Sequence, residues 1–130
     1  MIKLFNTLSK KVEVFKPIDD VVKIYCCGVT VYDLCHLGHA RSYIAWDVLR
    51  RFLIYSDFKV KYVQNFTDID DKIINRSRDT GQTCEQLTDT YIQSMHDDIS
   101  DLNCLKVDYE PKATESIDDI IAIINQLIEK

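Results

Sequence analysis

The sequence predicts an α/β fold: a parallel sheet entered through an N-terminal β-hairpin and followed by helices. Two observations carry this. VVKIYCC (Val21–Cys27) and KVKYVQNF (Lys59–Phe66) are short runs rich in β-branched and aromatic residues, the composition of half-buried or buried strands. The segment between them, GHARSYIAWDVLRRFLIYS from Gly38 to Ser56, repeats its apolar residues at helical spacing. Strand, helix and strand in that order make a crossover unit, which is parallel and almost always right-handed.

Each element has its own local reason. In IKLFNTLSKKVEVF two short alternating apolar runs flank the polar stretch Asn6–Lys11, the pattern of a hairpin, and Pro17 stops it. Gly28 ends the first long strand. In the crossover helix Ile44, Val48, Phe52 and Tyr55 line one face, with Trp46, Leu49 and Leu53 beside them, so the helix is expected to be buried on more than one side. DIDDKIINRSR (Asp68–Arg78) places acids in its first turn and bases in its last, the sense that suits a helix dipole, and Gly81 closes it. Further helices are expected over roughly 84–102 and 114–129, separated by a turn-prone stretch around Pro111. A sheet wound on both sides needs more strands than the residues after Phe66 offer. The expectation is therefore one domain over residues 1–130 that forms the first portion of a larger fold.

Composition limits the functional classes. With 46% hydrophobic and 28% charged residues among 130, the chain has the make-up of a globular domain. No apolar run approaches the roughly 18 residues a spanning helix needs, and MIKLFNTLSKK lacks the apolar stretch of a secretory signal. A cytoplasmic protein without a membrane partner is expected. Five cysteines without framework spacing read as mostly buried thiols rather than disulfides. The net charge of -5 gives no electrostatic footprint for nucleic acid, and Lys10-Lys11 and Arg50-Arg51 are expected to be solvated surface.

The chain has only three glycines and three histidines, and two of each fall in GVTVYDLCHLGH, between Gly28 and His39. In an open parallel sheet this is the loop from a strand's carboxyl end into a helix, the place where ligands bind. His36 and His39 flank Gly38 at the helix start, so both imidazoles can be aimed at one region. There they can donate to phosphate oxygens alongside the helix's unpaired N–H groups. A phosphate-handling site follows. Asp68, Asp70 and Asp71 are read as dipole-complementing helix residues rather than a magnesium site, and Thr67 or Asp68 as that helix's N-cap.

HLGH at His36–His39, the strand-terminal Cys27-Gly28 pair and NFTDIDDKI at Asn65–Ile73 together resemble the N-terminal part of the cysteinyl-tRNA synthetases, a class I aminoacyl-tRNA synthetase family. HLGH is similar to the HIGH signature of that class, with leucine at its second position. The resemblance runs from Met1 to the end of the chain, and it implies a Rossmann-like catalytic domain of which residues 1–130 are the first half. It also implies a two-step reaction: cysteine and ATP form cysteinyl-adenylate, and the cysteinyl group then passes to tRNA(Cys).

Residue by residue, the resemblance makes His36 and His39 catalytic and, with Gly38, ATP-binding. Gly28, Thr30 and Thr67 would line the amino acid pocket, and ATP would bring Mg²⁺. Cys27 matches a zinc-binding cysteine. Zinc tells a thiol from a hydroxyl by direct coordination, so no editing step is implied. Such a site needs three or four protein ligands; in the family the others, a cysteine, a histidine and a glutamate, come much later in the chain. A local alternative would recruit Cys26, Cys35 or His36, but Cys26 should face the opposite side of the strand from Cys27. The KMSKS-like lysine loop and an anticodon-binding domain do not occur in these residues, so an incomplete site, in a monomeric enzyme, is expected. Two other readings stay open: a cysteine ligase of mycothiol synthesis on the same scaffold, which would transfer cysteine to an amino sugar, and a non-catalytic half-fold binding module.

Overall fold

The computed structural model describes all residues, 1–130. Strands β1 (Lys3–Asn6) and β2 (Lys11–Val14) form the antiparallel hairpin, in register from Lys3↔Val14 to Asn6↔Lys11. The turn closes through the Lys10 N–H donating to the Asn6 carbonyl, with Lys10 at φ 57°. Every hairpin residue is exposed. Its attachment to the rest is an edge-to-face contact of Phe15 with Phe58.

The crossover unit follows as expected. β3 (Val21–Cys26) and β4 (Lys59–Gln64) pair in parallel from Val21↔Lys59 to Cys26↔Gln64, and α1 (Leu37–Tyr55) connects them. α2 (Asp71–Thr80), α3 (Cys84–Asp101), a 3₁₀ turn (Thr114–Ser116) and α4 (Ile117–Ile128) complete the chain. Gly81 adopts the left-handed conformation, φ 70°, just past α2, the stop that glycine supplies without steric cost. Thr83 and Gln86 cap α3 reciprocally, satisfying two of the donors a helix start leaves free.

The core lies between the strands, the loop after β3 and α3. Val31, Tyr43, Phe66, Ile92 and Met95 are buried together, and Val29, Cys35, Tyr91 and Ile99 pack against them. α1 turns Tyr43, Arg50 and Leu53 inward.

Four expectations need correction. The α1 face formed by Ile44, Val48, Phe52 and Tyr55 is exposed; the sheet lies instead against the face of Tyr43, Arg50 and Leu53, and nothing in these residues covers the other. Arg50 is not solvated surface but buried, donating to the Lys106 carbonyl and to Asp108, whose carboxylate also accepts from the Tyr62 N–H. The stretch around Pro111 is more than a turn. Asp108 N–H donates to the Tyr62 carbonyl, Gln64 N–H to Tyr109, Phe66 N–H to Pro111, and Ala113 N–H to Phe66. The segment thus lies parallel to β4 as a third, irregular strand, and Pro111 is tolerated because its carbonyl, not an N–H, faces β4. Lastly, α2 begins at Asp71 with Asp70 as its N-cap, accepting from Lys72 N–H, so neither Thr67 nor Asp68 caps it. Asp68 is buried and accepts from the Thr114 N–H and hydroxyl, which draws it out of the helix.

α4 carries an apolar face of Ile117, Ile120, Ile121, Ile124, Leu127 and Ile128, yet none of its residues is buried. Met95→Ala is expected to cost about 2–5 kcal/mol, the range for emptying a packed core position, whereas Ile121→Ala on α4 should stay within about 0.5 kcal/mol. Urea unfolding of the two variants checks this, and equal losses would contradict the placement of the core.

Candidate active site

The site is built from two pieces at one edge of the sheet: the tips of β3 and β4, and the head of α1. At the tips, the Gly28 N–H donates to Asn65 Oδ1 (2.8 Å), the Thr67 N–H to the Val29 carbonyl (3.1 Å) and the Val31 N–H to the Thr67 carbonyl (3.3 Å). Thr30 and Thr67 are thereby bridged side by side. A Cβ on Gly28 would stand 1.4 Å from the Asn65 carbonyl oxygen. No side chain fits there, so glycine is required by contact rather than by an unusual backbone angle.

Cys27, just before Gly28, is exposed, while Cys26 is buried. The two thiols thus differ in exposure, although Cys27 lies beyond the last regular pair of β3. Burial pushes the Cys26 and Cys35 thiols up from their ordinary value, the behaviour of inert, packed sulfurs. All five cysteines are free. No group of three or more His, Cys, Asp or Glu residues is arranged to hold a metal, so a zinc site made from Cys27 with Cys26, Cys35 and His36 is not formed. Cys27 presents a single available thiol.

At the head of α1 the two histidines form a reciprocal cap. The Gly38 N–H donates to His36 Nδ1 (3.0 Å), and the His36 N–H donates to His39 Nδ1 (3.1 Å). The rings stack with centroids 4.0 Å apart. A Cβ on Gly38 would meet the His36 ring at 2.8 Å, so the close approach that this glycine permits is that of the imidazole itself. Because each Nδ1 accepts a hydrogen bond, each ring in its neutral form carries its proton on Nε2. The cap thus leaves two Nε2–H donors for an outside acceptor.

The surroundings favour an anion at this point. α2 has Asp71 in its first turn, α3 has Glu85, and α4 has Asp118 and Asp119, whereas α1 has no acidic residue there. Its positive end is left uncompensated, and a phosphate is the group that such an end attracts. A separate cavity of about 530 Å³, lined by Tyr43, Arg50, Gln64, His96 and Glu110 among others, includes none of the residues of the helix head or the strand tips. That cavity has its own unpartnered buried donors, Arg50 Nε and Gln64 Nε2, and is distinct from the imidazole pair at the helix head.

The structure therefore joins Gly28, Thr30 and Thr67 at the strand tips, with Cys27 beside them, and His36, Gly38 and His39 at the helix head. Sequence reasoning missed Asn65, whose side chain ties the two tips. The available signal was a polar residue one place after the last regular pair of β4.

The geometry defines a parallel crossover unit whose connecting helix opens with paired imidazoles. A family model described as tRNA synthetases class I (C) catalytic domain matches residues 14–130, and the chain belongs to that family. It is 67% identical over 130 residues to a protein of Prochlorococcus marinus (strain AS9601) named "Cysteine--tRNA ligase", covering 100% of this chain and 27% of the relative. Proteins of the same name from Cyanothece sp. and Trichodesmium erythraeum are 54% and 49% identical over 99% of the chain, which covers 26% and 27% of them. The chain spans about a quarter of the length of these relatives.

Two measurements test the site's construction. Gly28→Ala must displace the Asn65 backbone and is expected to cost about 3 kcal/mol, the upper part of the range for overpacking, while Gly81→Ala meets no atoms and should cost about 1–2 kcal/mol for its left-handed backbone. A smaller loss at Gly28 than at Gly81 in thermal unfolding would contradict the tip contact.

For His39, burial, aided by the neighbouring His36, holds the imidazole below its ordinary pKa of 6.5. The unfolded chain then binds more protons between that lowered value and 6.5, so this stabilising contribution is complete above 6.5 and is lost as the pH falls through the window. Protonation at Nδ1 also breaks the bond from the His36 N–H. NMR titration should place His39 below 6.5, and His39→Asn should flatten the pH dependence of unfolding in that range.

Proposed function

We propose that residues 1–130 are the N-terminal portion of the catalytic domain of an enzyme that activates L-cysteine with ATP and transfers it to tRNA(Cys). The observation that carries this reading is the pair of outward Nε2–H donors at an acid-free helix head, beside strand tips that present an exposed thiol. The names of the relatives favour a tRNA over an amino sugar as the acceptor.

In the first step the carboxylate of cysteine attacks the α-phosphate of ATP, forming cysteinyl-adenylate and releasing pyrophosphate. In the second, a terminal ribose hydroxyl of the tRNA takes the cysteinyl group. Neither step needs a protein nucleophile, so the residues act by positioning and by meeting charge as it develops. His36 and His39 donate to the phosphate oxygens from fixed positions, and the positive end of α1 adds its field; the N–H groups of Gly38, His39 and Ala40 are already spent within the cap. Gly38 lets the His36 ring fold over the helix start. Gly28, Thr30 and Thr67 shape the pocket for the amino acid, and Mg²⁺ enters with ATP.

Cys27 suits one ligand position of a zinc ion, with the remaining ligands supplied by residues outside this chain. Such an ion would bind the substrate's sulfur as thiolate and so distinguish cysteine from serine. No helix here is long and apolar enough to cross a membrane. The reading places the enzyme in the cytoplasm, with translation, as a monomer.

The test is cysteine-dependent exchange of pyrophosphate into ATP, measured with the longest polypeptide that carries this chain. His39→Ala should lower the exchange rate by about 10²–10³-fold, the loss seen when one fixed donor to a developing charge is removed. Cys27→Ser should raise KM for cysteine while leaving KM for ATP nearly unchanged. Absence of cysteine-dependent exchange, or indifference to the loss of His39, would reject the assignment.

A further inference from the structure

The pairing of β3 with β4 is regular up to Cys26↔Gln64 and resumes at Thr30↔Thr67. Over that interval the first strand uses one residue more than the second. The extra residue falls within Cys27–Val29, so the tip of β3 is a bulge, an uncommon feature in a parallel pair and one that turns side chains away from the ladder.

Something must satisfy the backbone that the bulge releases, because an unpaired N–H at a half-buried position is costly. Here the Gly28 N–H donates not to a main-chain carbonyl of β4 but to the side-chain oxygen of Asn65, at 2.8 Å. The same residue's backbone carbonyl forms the wall against which Gly28 is pressed, so close that a Cβ would lie 1.4 Å from it. Asn65 therefore grips the bulge from two sides. Cys27 immediately precedes the gripped residue, and its thiol is exposed while that of Cys26 is buried. The direction in which Cys27 presents its sulfur is set by the bulge, and the bulge is held by Asn65.

We propose that Asn65 is a positioning residue for the Cys27 thiol: through its hydrogen bond to Gly28 it fixes the bulge at the tip of β3, and thereby the enzyme's hold on the substrate's sulfur, without touching the substrate. The substrate part of this inference rests on the ligase reading above; the placement of the thiol does not. Asn65→Ala removes the acceptor. Asn65→Asp keeps an oxygen in reach of the Gly28 N–H and serves as the conservative rescue.

Three readouts decide the matter. In Asn65→Ala, amide exchange at Gly28 should speed up at least tenfold. The rate of Cys27 alkylation by iodoacetamide, located by peptide mass spectrometry and compared at the high-pH plateau to remove charge effects on the thiol, should change at least threefold. In the longest polypeptide that carries this chain, KM for cysteine should rise about tenfold with KM for ATP within twofold. Asn65→Asp should return all three towards the parent values. If Asn65→Ala does not fold, Asn65→Ser, whose shorter side chain withdraws the acceptor, takes its place with the same expectations.

An unchanged Cys27 alkylation rate despite faster Gly28 exchange would overturn the proposal, as would parallel rises in both KM values, which mark a merely structural role. Should the parent enzyme show no cysteine-dependent exchange, the ligase reading falls, and the alkylation and amide-exchange arms alone decide whether Asn65 places the thiol.

Discussion

The structure depends on the contact between the Gly28 α-carbon and the Asn65 backbone at the end of the parallel pair. Up to Cys26↔Gln64 the ladder needs nothing from particular side chains. Beyond it the first strand must leave the sheet to reach the head of α1, while the second must continue far enough to pair Phe66 with Pro111 and Ala113. The strands can part without losing their hydrogen bonds only where one of them has no side chain and the other lends its own. Replace the glycine and the tips separate; the loop that carries Thr30 and Val31 then loses the bridge that seats Val31 in the core.

A second set of anchors holds the opposite edge of β4. Asp108 accepts from the Tyr62 N–H and from Arg50, and Asp68 accepts twice from Thr114. These charged groups are paired inside the protein, the condition under which partial burial of charge is tolerated, although Arg50 Nε is buried without a partner. Arg50 also reaches the Lys106 carbonyl, so one side chain of α1 fixes both the helix and the irregular third strand against β4. The 107–113 segment has no apolar alternation of its own and is held by main-chain bonds and these polar ties. Its path places Asp68, next to Thr67, in the buried layer beneath the candidate site.

The crossover unit was legible because its signal is local: β-branched runs of the right length, a helix-spaced segment between them, and glycine at the junction. The histidine pair was legible for the same reason, since spacing along a helix start fixes where two side chains can meet. What escaped was decided by partners distant in sequence. Arg50 and Asp68 look like surface charges until Lys106, Asp108 and Thr114 are brought against them. In the sequence the third strand has the look of a turn because Pro111 signals a break, and only pairing with β4 shows that this position needs no N–H. The Ile44, Val48, Phe52 and Tyr55 face illustrates the converse limit. Apolar spacing says that a face is fit for burial, and here the residues that pack on α1 meet a different one. Asn65 was hidden because a bulge appears only when two registers are compared.

Under the proposed function, the arrangement at the helix head answers an electrostatic difficulty. The chain carries a net charge of -5, so an anionic ligand gains nothing from the overall field and must be held by local donors. Two imidazoles supply these without the desolvation cost that a pair of lysines would bring to the same small region. The backbone N–H groups of Gly38 and His36 donate to the δ nitrogens, which leaves the ε nitrogens to carry the ring protons, and the lowered pKa of His39 favours the neutral form of that ring. Donors fixed by the same bonds that start the helix need no reorientation when charge grows on a phosphate, which is the condition for stabilising a transition state more than a ground state. The stacking of the rings at 4.0 Å depends in turn on the missing Cβ of Gly38. Helix initiation, ring orientation and donor placement are therefore one structural unit, and none of the three can be altered without disturbing the others.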